Sequence, residues 1–113
     1  MKLRKLTKNE QGILNQLMQA DFHGNAKIQE QIKFALVEKI DENGSLRFSV
    51  DSQSKALVLK RIPVEAIIKD ADGVTVHILL HVLNGLIAEL EIYKEDNSKL
   101  LEEITPSNME III

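Results

Sequence analysis

The sequence predicts an α+β fold: two N-terminal helices packed on a curved, mainly antiparallel sheet of about six strands. Three observations carry that expectation. Apolar residues recur at helical spacing near the N-terminus, as Ile13, Leu14, Leu17 and Met18. The chain is β-rich from Ala56 onward. Residues 72–96 read as two long strands joined at Asn84-Gly85, a pair of residues that tolerates the tight backbone of a hairpin.

The first helix is announced by Thr7-Lys8-Asn9-Glu10, a capping box in which Thr7 and Glu10 satisfy each other's amides. It is expected to end near Asp21, where Phe22-His23-Gly24-Asn25 breaks the pattern. A shorter helix over 26–33 places Ile28 and Ile32 on one side. Residues 34–40 then alternate as a strand, Asp41-Glu42-Asn43-Gly44 turns the chain, and 45–50 returns. In that returning strand Leu46, Phe48 and Val50 are assigned inward, and Ser45, Arg47 and Ser49 outward. Residues 51–55, with Ser52, form a polar loop, and 56–61 an apolar strand. Pro63 marks a strand start, a bulge or an edge, because it has no amide to give a ladder, and 64–69 continues as a strand. Asp70-Ala71-Asp72-Gly73 turns into the long hairpin. Residues 100–104 have no assigned type, and Thr105-Pro106-Ser107-Asn108 breaks the chain. The apolar tail ending Ile111-Ile112-Ile113 is expected to dock as an edge strand or in a partner's groove.

The hairpin register decides what its outer face carries. A plain two-residue Asn84-Gly85 turn would set Leu80 against Glu89 and Ile78 against Glu91, placing carboxylates on the apolar side. A three-residue loop, Leu83-Asn84-Gly85, avoids this. It pairs Leu80 with Ala88, Ile78 with Leu90 and His77 with Glu91, so the three-residue loop is the expectation. The inner side, Val76, Ile78, Leu80, Leu90 and Ile92, then meets Ile13, Leu14, Leu17 and Ile28. The outer side presents His77, His81, Glu89, Glu91 and Tyr93, followed by Glu95.

The totals exclude several chemistries. One domain is expected from this length. With no Cys there is no disulfide, thiolate nucleophile or Cys-based metal site. Lys and Arg number 14 against 17 Asp and Glu, a formal charge of −3, so no basic excess points to nucleic acid or anionic lipid. The N-terminal Lys2, Arg4, Lys5 and Lys8 lack interleaved aromatics. No apolar run approaches the ~20 residues that span a bilayer, and the polar N-terminus does not read as a signal peptide. A cytoplasmic protein with no membrane and no nucleic-acid partner is expected. The serines lack a G-x-S-x-G elbow and the glycines lack a phosphate-cradling pattern. His23 reads as a loop side chain, and no catalytic residue is assigned.

On the outer face, metal is disfavoured by spacing. His77 and His81 are roughly 13 Å apart along one strand, and His77 with Glu91 would supply only two ligands. No metal and no cofactor is assigned. A carboxylate beside His77 would raise its pKa, which leaves a pH-responsive role open.

The opening Arg4, Leu6 and Glu10, the mid-chain Gly44-Ser45-Leu46 and the closing run from Glu89 to Lys94 resemble a group of small uncharacterised bacterial domains. Their features are R-x-L-x-x-x-E, G-S-L before a strand, and E-L-[DE]-I-[YWF]-K. Asp72-Gly73-Val74, Asp96, Ser98 and Leu100 extend the likeness, which leaves out the tail after Pro106. Related small domains resemble immunity proteins of bacterial toxin systems, which act by binding a toxin. The resemblance implies no functional residues. Taken with the acidic outer face, it leads to the expectation of a non-enzymatic protein-binding module, immunity-like, docking a basic partner such as a nuclease toxin through His77, His81, Glu89, Glu91, Tyr93 and Glu95. Two alternatives stand beside it. One is a homodimer formed through a strand edge or the tail. The other is a small-molecule or enzymatic site between helices and sheet, which a pocket holding His77 or His23 beside a carboxylate would mark.

Overall fold

The computed structural model describes residues 2–51 and 54–112, so the expectations for Ser52 and Ile113 lie outside the described residues. Two helices, α1 (Lys8–Leu17) and α2 (Asn25–Phe34), precede a six-stranded antiparallel sheet. The strands are β1 (Leu36–Lys39), β2 (Leu46–Ser49), β3 (Val64–Lys69), β4 (Thr75–Leu83), β5 (Leu86–Lys94) and β6 (Glu110–Ile111). Their order across the sheet is β1-β2-β5-β4-β3-β6. The expected fold class is therefore the observed one.

The capping box forms as its sequence demands. Glu10 N–H donates to Thr7 Oγ1 at 3.1 Å, and Thr7 N–H donates to Glu10 Oε1 at 2.9 Å. Arg4 adds a two-pronged bond to the same carboxylate, at 2.8 and 2.9 Å, which holds Glu10 below the usual carboxylate range. The α1 helix ends at Leu17, earlier than the periodicity implies. The Asn25 side chain donates to the carbonyls of Met18 and Ala20 at 3.0 and 2.8 Å, tying the α1 exit to the α2 entrance.

Ile13, Leu14, Leu17 and Ile28 share one core with Val76, Ile78, Leu80, Leu90 and Ile92, the packing the sequence predicts. Val37, Leu46 and Phe48 extend that core under β1 and β2. Ser45, expected outward, is buried instead. Its hydroxyl accepts from Ile92 N–H at 2.9 Å and donates to Ile92 C=O at 3.2 Å, standing in for a ladder rung just before β2 begins. Asp41 closes the preceding turn by accepting from the amides of Asn43 and Ser45.

Residues 56–61 are not a strand. They cross the tip of the β4–β5 hairpin, touching it through Ala56 N–H to Gly85 C=O and Val82 N–H to Arg61 C=O, both 2.8 Å. The apolar side chains suggested a strand, but Leu57 and Leu59 are 72% and 77% exposed. The sixth strand is supplied by the tail, where β6 pairs with the free edge of β3, Ala66 opposite Ile111. Of the two places considered for the tail, it occupies its own sheet edge, with Met109 buried.

The hairpin register differs from both sequence alternatives. The turn is the two-residue one: Leu83 faces Leu86, and Asn84 and Gly85 both have positive φ, 53° and 79°. Val82 then faces Ile87, but His81 faces Glu89, leaving Ala88 as an extra residue in β5. This β-bulge moves the register the opposite way from a three-residue loop. Leu80 meets Leu90, Ile78 meets Ile92, Leu79 meets Glu91 and His77 meets Tyr93. The expected His77–Glu91 and Leu80–Ala88 pairs are absent for that reason. Burial drove the choice, as anticipated, but the bulge rather than the loop keeps the carboxylates off the core.

Gly85 is fixed twice over. Its φ suits glycine, and a Cβ placed there would lie 2.7 Å from Lys55 Cβ and 3.0 Å from Ala56 C=O. Gly85→Ala is expected to destabilise by at least about 2 kcal/mol, the left-handed backbone alone costing ~1–2 kcal/mol. Urea unfolding measures it, and a change below about 0.5 kcal/mol, the scale of an ordinary surface substitution, would show that the tip relaxes freely.

Candidate functional site

Along β4 burial alternates strictly, with Val76, Ile78, Leu80 and Val82 buried and Thr75, His77, Leu79 and His81 half-buried. The helices share the core with the first set. The second set lines an outer face that β5 completes with Glu89, Glu91 and Tyr93, and β3 with Glu65 and Ile67. All six sequence-assigned residues, His77, His81, Glu89, Glu91, Tyr93 and Glu95, lie on this face or at its end. They form two groups rather than one.

The first group is centred on His77. Its Nδ1 lies 2.8 Å from Glu65 Oε2, and its Nε2 lies 2.8 Å from Glu95 Oε1. Its ring stacks on Tyr93, with centroids 4.8 Å apart and planes 8° from parallel. The bond to Glu65, then that to Glu95, raises the pKa of His77 against the opposing effect of burial. Burial, reinforced by Glu65, Glu91 and Glu95, raises that of Tyr93. The carboxylate expected beside His77 was Glu91. Glu65, from the neighbouring strand, and Glu95 take its place.

The second group is centred on His81. Its Nε2 lies 2.8 Å from Glu91 Oε1, while Arg61 Nε donates to its Nδ1 at 3.3 Å. Arginine has no acceptor, so Nδ1 must carry the lone pair and Nε2 the proton, donated to Glu91. Glu89, set opposite His81 by the bulge, makes no hydrogen bond or ion pair among the described residues. One ligand atom from each of His81, Glu89 and Glu91 lies within 4.8 Å of the others, a three-member set that the sequence spacing did not foresee. A divalent ion held there through Nε2 would have to displace the proton that this nitrogen donates to Glu91. A metal-bound imidazole also normally donates through its second nitrogen, and here that nitrogen accepts from a cation.

Behind the face, on the inner side, lies a charged cluster that sequence reasoning missed. Lys94 continues the inward series Leu90, Ile92 and is opposite Val76, and its side chain is 0% exposed. Its ammonium donates to Asp70 Oδ2 at 2.8 Å, Asp72 Oδ2 at 2.7 Å and the Lys99 carbonyl at 3.4 Å. Burial alone would lower the Lys94 pKa, but the two carboxylates outweigh it and raise it. The hydrogen bond from Lys94 holds Asp70 down to about 2. Asp70 also accepts from Leu101 N–H at 2.9 Å, so one cluster pins the β3–β4 turn, the end of β5 and the chain beyond it. A lysine at inward parity was the available signal, but Asp70 and Asp72 were read as turn residues alone. The ammonium, charged and triply bonded, is not a nucleophile.

A groove of about 490 Å³ runs between the start of α1, the β1–β2 turn and residues 100–104, lined by Arg4, Glu10, Lys39, Asn43, Ile92 and Leu101 among others. It contains neither His77 nor His23, the residues that would have marked an enzymatic site there. His23 is exposed in its loop.

The model of a family described as a domain of unknown function, DUF6984, matches residues 3–104. The chain belongs to that family. The match takes in both helices and five strands of this member and stops short of the 3₁₀ turn at Pro106–Asn108 and of β6. No curated protein and no solved structure matches the chain. Among the described residues no helix is long and apolar enough to cross a membrane.

Proposed function

We propose that this domain is a non-enzymatic protein-binding module whose docking surface is the outer face of the β3–β4–β5 sheet. The observation that carries the reading is the one-sided use of the sheet. The helices and the core take one face, and the other is left with half-buried His77, Leu79 and His81, a Tyr93 that is 38% exposed, and the carboxylates Glu65, Glu89, Glu91 and Glu95. Rigid strands hold these groups in place. Among the described residues Glu89 is unpaired and Glu91 is engaged only by His81. An acidic, partly aromatic face of this kind suits a basic partner, with charge steering the encounter and Tyr93 providing contact area. The finer reading is an immunity-like protein of a bacterial toxin system, acting in the cytoplasm on a basic toxin. It rests on the likeness of related small domains to immunity proteins, which is analogy.

Titrating the ¹⁵N-labelled chain with a lysine-rich peptide tests the surface. Shift changes are expected to cluster at Glu89, Glu91, Tyr93 and Glu95, and to vanish in the Glu89→Lys/Glu91→Lys variant, whose fold is checked by circular dichroism. Changes centred elsewhere, or undiminished in that variant, overturn the surface. A toxin gene beside the gene for this chain is the expected genomic neighbour under the finer reading.

A further inference from the structure

We propose that His77 is a proton-held clasp: its imidazolium joins Glu65 of β3 to Glu95 beyond the end of β5, across β4, and opens when the ring loses a proton. The geometry alone assigns the charged form. Both ring nitrogens sit 2.8 Å from carboxylate oxygens, and an ionised carboxylate only accepts. A neutral ring has one N–H, so one of the two contacts would become a lone pair against a negative charge. The imidazolium satisfies both. The stack against Tyr93, planes 8° apart, adds the attraction of a cation to an aromatic face.

His81, four residues along the same strand, shows the contrast. It meets a carboxylate at one nitrogen and a guanidinium at the other, so its bonding calls for a single proton. The clasp is thus a property of His77's neighbours. From β3 these are Glu65 and, beside Thr75, Lys69, whose ammonium donates to Thr75 Oγ1 at 2.7 Å. From β5 it is Tyr93, with Glu91 one pair further on opposite Leu79. Glu95 lies beyond the strand end. One strand outward, Glu110 of β6 faces Ile67. Carboxylates outnumber cations around the ring, and its raised pKa agrees with that balance.

The sign of the effect follows. A histidine whose folded pKa lies above its unfolded value of roughly 6.5 contributes stability that is fully present below that value. That contribution is lost as pH rises through the folded pKa. Deprotonation also releases one of the two carboxylates onto the outer face, since the neutral ring keeps a single N–H to donate. Tyr93 is the only tyrosine and there is no tryptophan, so intrinsic fluorescence reports directly on the ring stacked against His77.

Long-range ¹H–¹⁵N spectra of the histidine rings at neutral pH test the clasp. Both nitrogens of His77 are expected in the protonated range, while His81 carries its proton on Nε2. Raising the pH is expected to deprotonate His77 at a midpoint above the ordinary histidine value, with a matching change in Tyr93 emission and a fall in Tm. His77→Gln removes that limb of the Tm profile. Glu95→Gln, at a side chain 55% exposed that the fold does not need, lowers the His77 midpoint. A single-proton His77 at neutral pH, or a midpoint unmoved by Glu95→Gln, overturns the clasp.

Discussion

Lys94→Met is expected to lower Tm by at least about 10 °C, because removing one partner of a buried ion pair leaves the other charge uncompensated. Methionine matches the stem of the lysine, so the loss is not a packing defect. It is the Asp70 carboxylate, 0% exposed, stripped of its ammonium while still accepting from Leu101 and Ala71 amides. The pH profile separates this account from a general loss of fold. Asp70 is depressed to about 2 in the folded chain, below an unfolded value of roughly 3.9. Its contribution is therefore present above the unfolded value and lost as pH falls towards 2. In Lys94→Met the main cause of that depression is gone, so this acid limb should flatten. In Lys94→Met/Asp70→Asn, with no buried charge left at either position, part of the lost Tm should return. A single variant melting within about 3 °C of the parent, too small a change for an orphaned buried charge, would show that the cluster is solvated. So would an unchanged acid limb.

Gln31→Met is expected to cost on the order of 3 kcal/mol, since each buried polar group left without a partner costs about 1–3 kcal/mol. Gln31 is a buried amide on α2 with both of its polar atoms engaged. Its Nε2 donates to Ser54 C=O at 3.0 Å and Gly85 C=O at 2.9 Å, and its Oε1 accepts from Ile87 N–H at 2.8 Å. Methionine is similar in size and offers none of these. Urea unfolding gives the energy, and hydrogen exchange gives the mechanism. The Ile87 amide, immediately before the bulge, should lose protection more than amides near Thr75 at the far end of β4. A cost below about 1 kcal/mol with Ile87 still protected would mean water replaces the glutamine without penalty.

The sequence was most legible where a local rule had one solution. The Thr7–Glu10 capping box and the turns at Asp41–Gly44 and Asp70–Gly73 are such places, each depending on residues a few positions apart. The alternation of β4 also named the core correctly. Long-range relations were harder to read. Residues 56–61 have strand-like composition, but their path depends on the hairpin tip they cross. Ser45 looks like an outward polar residue until Ile92 arrives with an unpaired rung. Gln31 gave no local sign of burial, and Lys94 gave only its inward parity, because their partners Gly85 and Asp70 lie 54 and 24 residues away. The outer face was identified as a set, yet its internal pairing was not, since Glu65 and Arg61 come from elements whose register a single hairpin does not reveal. The one-residue bulge then redistributed every partner along β5.

That bulge takes up a one-residue mismatch between the two arms of the hairpin. Ala88 is the uncounted residue that reverses odd and even along β5. With Ala88 deleted, the two-residue turn would lead into an unbroken ladder in which His81 still faces Glu89 and Leu80 still faces Leu90. Flattening the bulge with Ala88 retained would instead set Leu80 against Glu89 and turn Leu90, Ile92 and Lys94 outward. Loss of that one residue keeps both faces and leaves Lys94 beside Asp70, whereas a ladder that kept Ala88 without the bulge would exchange the faces and separate them. A descendant or redesigned version of this domain can therefore lose the bulge together with its extra residue, but not the bulge alone.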